Sequence, residues 1–181
     1  MKIIKKALLF AAACTVLFFA VRWGYGELLD RFLPLKYEDS VVKYSEENGL
    51  DSYFVMAVIR AESGFDHEAH SGLARGLMQI TDDTAKWIAV QLGLEYHEDM
   101  VEDPATNIKM GCFYLAYLMD IYENRETALA AYNAGMGNVN SWLKDPRYSD
   151  DGKSLYEIPY GETKRYVERV NKFERLYKKI Y

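Results

Sequence analysis

The longest purely apolar-looking stretch opens the chain: from Ala7 to Val21 no position is charged, and three lysines (Lys2, Lys5, Lys6) precede it. Arg22, Trp23 and Tyr25 close it. Downstream the pattern changes to helical spacing. Asp39 to Asn48 predicts a polar-faced helix stopped by Gly49. Asp51 is placed to cap Ser52 to Ala61, where Tyr53, Phe54, Val55, Met56, Ala57, Val58 and Ile59 leave almost no polar face. A helix apolar all round belongs in the middle of a domain. Thr81 caps a helix through Leu92, ended by Gly93, and Asp103-Pro104 opens a long one bearing Ile108, Cys112, Leu115, Met119 and Tyr122 at helical spacing. Asn124 restarts a helix through Ala131, and Asn138 to Leu143 adds a short one. Residues 144–160 read as a long loop. From Glu162 the last helix carries Tyr166, Val170, Phe173, Tyr177 and Ile180 on one stripe, too short to argue a dimer, so a monomer is expected. There is little strand signal and no repeat. The fold class is mainly α.

These patterns divide the chain into a basic start (1–6), an apolar segment with its flank (7–23), a linker (24–36) and one helical domain (37–181). Fifteen helical residues reach about 22 Å against a hydrocarbon core of roughly 30 Å. The flanking lysines and Arg22 can snorkel, and Trp23 and Tyr25 suit an interface. A cleaved signal peptide is the alternative, but no small-x-small pattern closes the run. A lipidated Cys14 would have only seven apolar residues before it. The segment is read as an uncleaved single-pass anchor, with the lysines cytoplasmic and the domain outside the cell membrane.

Charge narrows the partners. The net charge is −5, yet residues 1–36 hold six Lys or Arg against two acids, so the rest of the chain is strongly acidic. Such a domain repels phosphate backbones, and no nucleic acid is expected to bind. The two cysteines, Cys14 and Cys112, fall in unrelated segments and predict no disulfide.

Among candidate chemical groups Glu62 stands first. It directly follows the most apolar helix and precedes Ser63-Gly64, where that helix must end. Partial burial and the negative end of the helix dipole both disfavour its ionised form. A carboxylic acid held partly protonated near neutral pH is what a general acid for glycosidic cleavage requires.

Glu62-Ser63-Gly64-Phe65, Gly76-Leu77-Met78-Gln79-Ile80 and Ala131-Tyr132-Asn133-Ala134-Gly135 together resemble the lytic transglycosylase domain of the goose-lysozyme-like superfamily. Asp103-Pro104 with Asn107-Ile108 and Gly111, and Ile158-Pro159 with Glu162-Thr163 and Tyr166-Val167, extend the likeness over about residues 40–181. Two positions depart from the family's pattern. Leu73 precedes Ala74 where a Gly-Ala pair is usual, and Ile80-Thr81-Asp82 replaces a Leu-Met-Pro-like turn.

The resemblance implies a single goose-type lysozyme-like domain and a peptidoglycan-cleaving enzyme. Glu62 would be its acid and base, and Ser63 the hydroxyl beside it. Met78 and Gln79 would line the sugar groove, Gln79 bonding an acetamido or hydroxyl group. Tyr132 and Asn133 would form the opposite wall, with Tyr166 reaching in from the last helix. In the family's reaction the acid protonates the oxygen leaving N-acetylmuramic acid, then deprotonates that sugar's own C6 hydroxyl, which closes onto C1 as a 1,6-anhydro ring. No cofactor is needed. A hydrolase of the same fold and a non-catalytic wall-binding module are the alternatives. Asp66, the nearest second acid, reads as a solvated or capping group. His67 and His70 sit in a loop-like stretch with no third ligand placed, so no metal site is expected.

Overall fold

The computed structural model describes residues 2–181, with the side chains of 14–24 and 26–181. The chain divides into two compact units, residues up to 35 and residues 36–181.

The first unit is one helix, α1 (Lys2–Phe32). It runs on through Gly24 and Gly26, where a linker was expected; each glycine weakens a helix by roughly 1 kcal/mol but does not end it. Among the described residues no helix is long and apolar enough to cross a membrane. The expected anchor over 7–23 lies partly outside them, since nothing is described of the side chains of 7–13.

The second unit is built around α3 (Ser52–Glu62), whose Phe54 to Ile59 are all buried. It packs chiefly on α8 (Gly161–Ile180) and on α2 (Glu38–Glu47). Around them stand α4 (Asp82–Leu92), α5 (Pro104–Ile121), α6 (Arg125–Ala134) and α7 (Met136–Trp142). The expected caps are made. Asp51, Thr81, Asp103 and Asn124 each accept the backbone N–H three residues on, at 3.0, 3.3, 2.8 and 2.9 Å. Each satisfies a helix-end donor that would otherwise be orphaned.

Two stretches differ from the reading of the sequence. Residues 70–81 form a small antiparallel sheet, β1 (His70–Ser71), β2 (Ala74–Arg75) and β3 (Ile80–Thr81), paired in that order. Strands of two residues are too short to show any alternation. Arg75 secures the sheet, pairing with Asp82 and, at 3.0 Å, with Glu102. Helix α6 also runs on to Ala134, which places Tyr132 and Asn133 on the helix, and Gly135 turns the chain at φ 85 into α7.

Candidate active site

Glu62 is the last residue of α3. Beyond it Gly64 and Phe65 both take left-handed backbone angles, φ 64 and 70, and turn the chain sharply away. For Phe65 that conformation costs on the order of 1 kcal/mol, offset by burying its ring. Ser63 fastens this turn: its hydroxyl donates to the Leu77 carbonyl at 2.8 Å and accepts the Phe65 N–H at 3.2 Å. That hydroxyl, expected beside the acid as part of the substrate site, is engaged in scaffold.

The facing wall is the segment Gly76 to Ile80, and Asn107 on α5 holds it. The Asn107 amide is fully buried and fully used, donating to Val101 O at 2.7 Å and Arg75 O at 3.1 Å and accepting Met78 N–H at 2.8 Å. A Cβ on Gly76 would stand 2.3 Å from that amide, so only glycine fits there. Met78 needs a correction. It was expected to line the sugar groove, but its side chain is wholly buried against Gly111, where a Cβ would lie 2.2 Å from the sulfur. The missing Cβ draws the thioether into the core, and Met78 meets the site through its backbone instead.

Gln79 adopts φ 50, a second strained position beside the site. Its Nε2 donates to Ala69 O and Gly76 O, both at 2.9 Å, which fixes the orientation of the amide. Its Oε1 is buried with no partner. Tyr132 closes the other side, its hydroxyl donating to Met78 O at 2.8 Å. The segment is thus held from three directions, by Ser63, Asn107 and Tyr132.

Tyr166, 1% exposed on α8, brings its hydroxyl near the Glu62 carboxyl, and that buried hydroxyl makes no hydrogen bond of ordinary geometry among the described residues. Desolvation by burial pushes Glu62 up from 4.5 to about 7, while the Tyr166 hydroxyl and the positive charge of Arg169 pull it part of the way back. Burial and the nearby Glu62 charge hold the Tyr132 and Tyr166 hydroxyls well above the ordinary tyrosine range. Both therefore act as donors rather than acids. Arg169 lies one helical turn beyond Tyr166, and neither it nor Asn107 was assigned a role from sequence; a buried amide inside an apolar stripe is the signal that could have marked Asn107.

Asn133 stands slightly apart. Its Oδ1 accepts the Thr163 hydroxyl at 2.9 Å, and it lines a polar cleft of about 470 Å³ with Pro159, Tyr160 and Glu162. Asp66 is exposed and caps its own turn, accepting Glu68 N–H at 3.0 Å. His67 and His70 are exposed, and among the described residues no three His, Cys, Asp or Glu are grouped to hold a metal.

Taken together, the arrangement offers one part-protonated carboxyl, a tyrosine hydroxyl aimed at it, and a glutamine oxygen free to accept. Comparison with known proteins identifies the family. The family model described as "Transglycosylase SLT domain" matches residues 39–155. The soluble lytic murein transglycosylase of Escherichia coli (strain K12) is 33% identical over 159 residues, covering 85% of this chain and 24% of that protein. Membrane-bound lytic murein transglycosylase C of Edwardsiella ictaluri is 31% identical over 173 residues, covering 80% and 47%. The X-ray structure of an inactive glutamate-to-glutamine mutant of lytic transglycosylase Slt from Pseudomonas aeruginosa aligns at a TM-score of 0.73 and 34% identity, over 83% of this chain and 25% of that one. The chain therefore spans about a quarter of the length of the soluble relatives.

Proposed function

The chain belongs to the Transglycosylase SLT domain family, and from that premise we propose that residues 37–181 cut the glycan strands of peptidoglycan as a lytic transglycosylase, with Glu62 as acid and then base. The strongest support is Glu62 itself, an acid raised to about 7 with a buried tyrosine hydroxyl against it. Near neutral pH a large fraction carries a proton to give. That proton passes to the oxygen leaving C1 of N-acetylmuramic acid. The carboxylate left behind is steadied by Tyr166 and takes the C6 hydroxyl proton as the C6 oxygen bonds to C1. The proton count balances, and no water is consumed.

A direct hydrolase needs a second carboxylate as nucleophile or as base for water. The acid nearest in sequence, Asp66, is turned to its own backbone instead. The amide hydrogens of Gln79 are taken by Ala69 and Gly76, so its unpaired Oε1 is left to accept; being buried, it meets an acetamido N–H only as the wall over it yields to the sugar. Asn133 then bounds the groove beyond Tyr132, and Met78 and Ser63 serve by holding its walls.

Purified sacculi digested with the full-length protein provide the test. Muropeptides lighter by one water than hydrolytic products are expected in the mass spectrum. Hydrated reducing ends would make the protein a hydrolase, and binding without release a wall-binding module.

We also propose that residues 7–23 anchor the protein in the cell membrane as a single pass, with 1–6 inside, 24–36 as the connection and the catalytic domain outside. Lys2, Lys5 and Lys6 favour that orientation by the positive-inside bias. Membrane fractionation with N-terminal sequencing decides it. A soluble form beginning near residue 21 would mean a cleaved signal peptide, and a lipid on Cys14 a lipoprotein.

A further inference from the structure

Helix α8 turns its apolar stripe inward and a band of positive charge outward. Arg165, Arg169, Lys172, Arg175 and Lys179 are all exposed, and they recur three or four residues apart, so they share one face of the helix. The band runs about 21 Å along the axis at the helical rise of about 1.5 Å per residue. Within it Glu168 is the one acid.

The rest of the domain is strongly acidic, so evenly scattered charge would set each cation beside an acid. That happens on the flanks of the same helix. Lys164 meets Glu157 at 3.0 Å, and Lys178 meets Glu174 at 2.9 Å and Asp51 at 3.2 Å. None of the five cations in the band makes an ion pair among the described residues. Like charges at this spacing weaken a helix slightly, so the band does nothing for the fold.

Its shape selects the ligand. A single carboxylate or phosphate is held by cations converging on one point, whereas these stand in a row on a convex surface. Arg165 and Arg169 flank Tyr166 and so lie near Glu62; Lys172, Arg175 and Lys179 lead away towards the far end of α8. A stem peptide on the sugar at Glu62 does not account for them. A broad field of anions meets the whole band at once, and anionic phospholipid headgroups are such a field. Proximity favours them too. Only residues 33–37 separate α1 from α2, and fully extended they span at most about 18 Å. With residues 7–23 in a bilayer the headgroups are always within reach, and weak contacts act at high effective concentration.

We propose that the outer face of α8 is a membrane-docking surface, whose five cations lay the catalytic domain on anionic phospholipid headgroups. The proposal draws on the anchored reading of residues 7–23 given above. It directs cleavage to the glycan strands nearest the membrane.

The test holds the full-length protein in nanodiscs of neutral phosphatidylcholine, which occupy the anchor, and adds vesicles of phosphatidylcholine alone or mixed with phosphatidylglycerol. On flotation the mixed vesicles should carry the protein with them and the neutral ones should not, and added salt should weaken the capture. Arg165→Gln, Lys172→Gln, Arg175→Gln and Lys179→Gln together should lower capture at least about a hundredfold. Arg169 stays, because it also acts on Glu62. The four side chains are exposed, so the melting temperature should hold. Arg165→Lys with Arg175→Lys should be captured like the wild type, since a charged surface counts charges rather than shapes. Lys2, Lys5 and Lys6 are present in every variant, so binding through the basic start would show as equal capture throughout. That result overturns the proposal, as does a wild type that ignores mixed vesicles. A four-site variant that loses its retention on purified sacculi but keeps its hold on mixed vesicles would assign the band to the carboxylates of the wall instead. If the native protein begins near residue 21, the anchored reading fails separately, and the mature chain goes without nanodiscs to the same vesicles, where capture still decides what the band binds.

Discussion

Helices α3 and α8 lie against each other along most of their length, and a shielded acid stands towards each end of their contact. Towards one end Glu174 is buried, but Arg125 grips it with two nitrogens and Lys178 reaches it at 2.9 Å, itself tied to Asp51 at 3.2 Å. Burial alone would raise its pKa; the two cations outweigh burial and lower it. Towards the other end Glu62 receives no ion pair, only the Tyr166 hydroxyl and the more distant charge of Arg169. There burial wins, and the pKa rises to about 7. The same side chain type on the same helix pair is thus made a structural anion in one place and a proton donor in the other. What separates them is the supply of cations together with the deeper desolvation of Glu62.

If that contrast is real, exchanging each acid for its amide must have opposite consequences. Glu62→Gln keeps the shape and loses the transferable proton, so cleavage should fall at least about a hundredfold. The fold should not suffer. The folded-state pKa of about 7 lies above the unfolded 4.5, so the folded protein holds its proton more tightly. Stability from this group is therefore complete below pH 4.5 and is lost as pH rises through 7. Glutamine escapes that loss. At pH 8 the variant should be the more stable by up to about 3 kcal/mol, and by pH 4 the difference should be gone. Urea titrations at the two pH values check this, and a variant that is less stable at pH 8 would mean Glu62 is paired after all.

Glu174→Gln should behave the other way. Arg125, which also lies 4.0 Å over the Phe54 ring, would lose its counter-charge in a part-buried place. A loss of about 1–2 kcal/mol is expected, discounted because Arg125 is part-exposed, with specific activity intact in the protein that remains folded. The wild-type contribution of Glu174 should also fade as pH falls through its lowered pKa, the reverse of the Glu62 dependence. A drop in specific activity without a drop in melting temperature would join this distant end to the chemistry.

Why one of these acids was visible in the sequence and the other was not has a physical answer. Glu62 follows the apolar run Phe54 to Ile59 after only Arg60 and Ala61, so burial and the helix end could both be read from neighbours in the chain. Glu174 lies on the buried stripe of α8 between Val170 and Tyr177, with Lys178 four residues on, but Arg125 comes from another helix and meets it only through packing. The caps at Asp51, Thr81, Asp103 and Asn124 were legible because each interaction spans three residues. The sheet over 70–81 was not, since strands of two residues carry no period. Met78 was misplaced for a related reason. The space it fills is created by Gly111, 33 positions away, and no local pattern announces an absent side chain.

Gln79→Ala and Tyr132→Phe probe the wall opposite Glu62 and should each reduce turnover by about tenfold with little change in melting temperature. Gln79→Ala removes the free Oε1 along with two bonds to backbone carbonyls. Tyr132→Phe frees the Met78 carbonyl to shift. If both proteins melt much lower and keep their specific activity, these residues hold the fold and the substrate contacts lie elsewhere.

The finest expected effect is on the pH profile of Tyr166→Phe. The Tyr166 hydroxyl stabilises the ionised Glu62 and so lowers its pKa; removing the hydroxyl raises it. Cleavage requires Glu62 protonated at the start, and the alkaline limb of kcat/KM reports that proton in the free enzyme. The limb should therefore move to higher pH in Tyr166→Phe, although maximal turnover falls because the carboxylate formed at mid-reaction has lost its donor. Arg169→Gln should move the limb the same way by a smaller amount, since an exposed charge is screened by solvent and salt. Raising ionic strength should shrink the Arg169 shift and leave the Tyr166 shift nearly unchanged, because a buried hydroxyl dipole is shielded from salt. A limb that stays fixed in Tyr166→Phe would mean the hydroxyl serves the sugar rather than the acid, and the profile would then change in height alone.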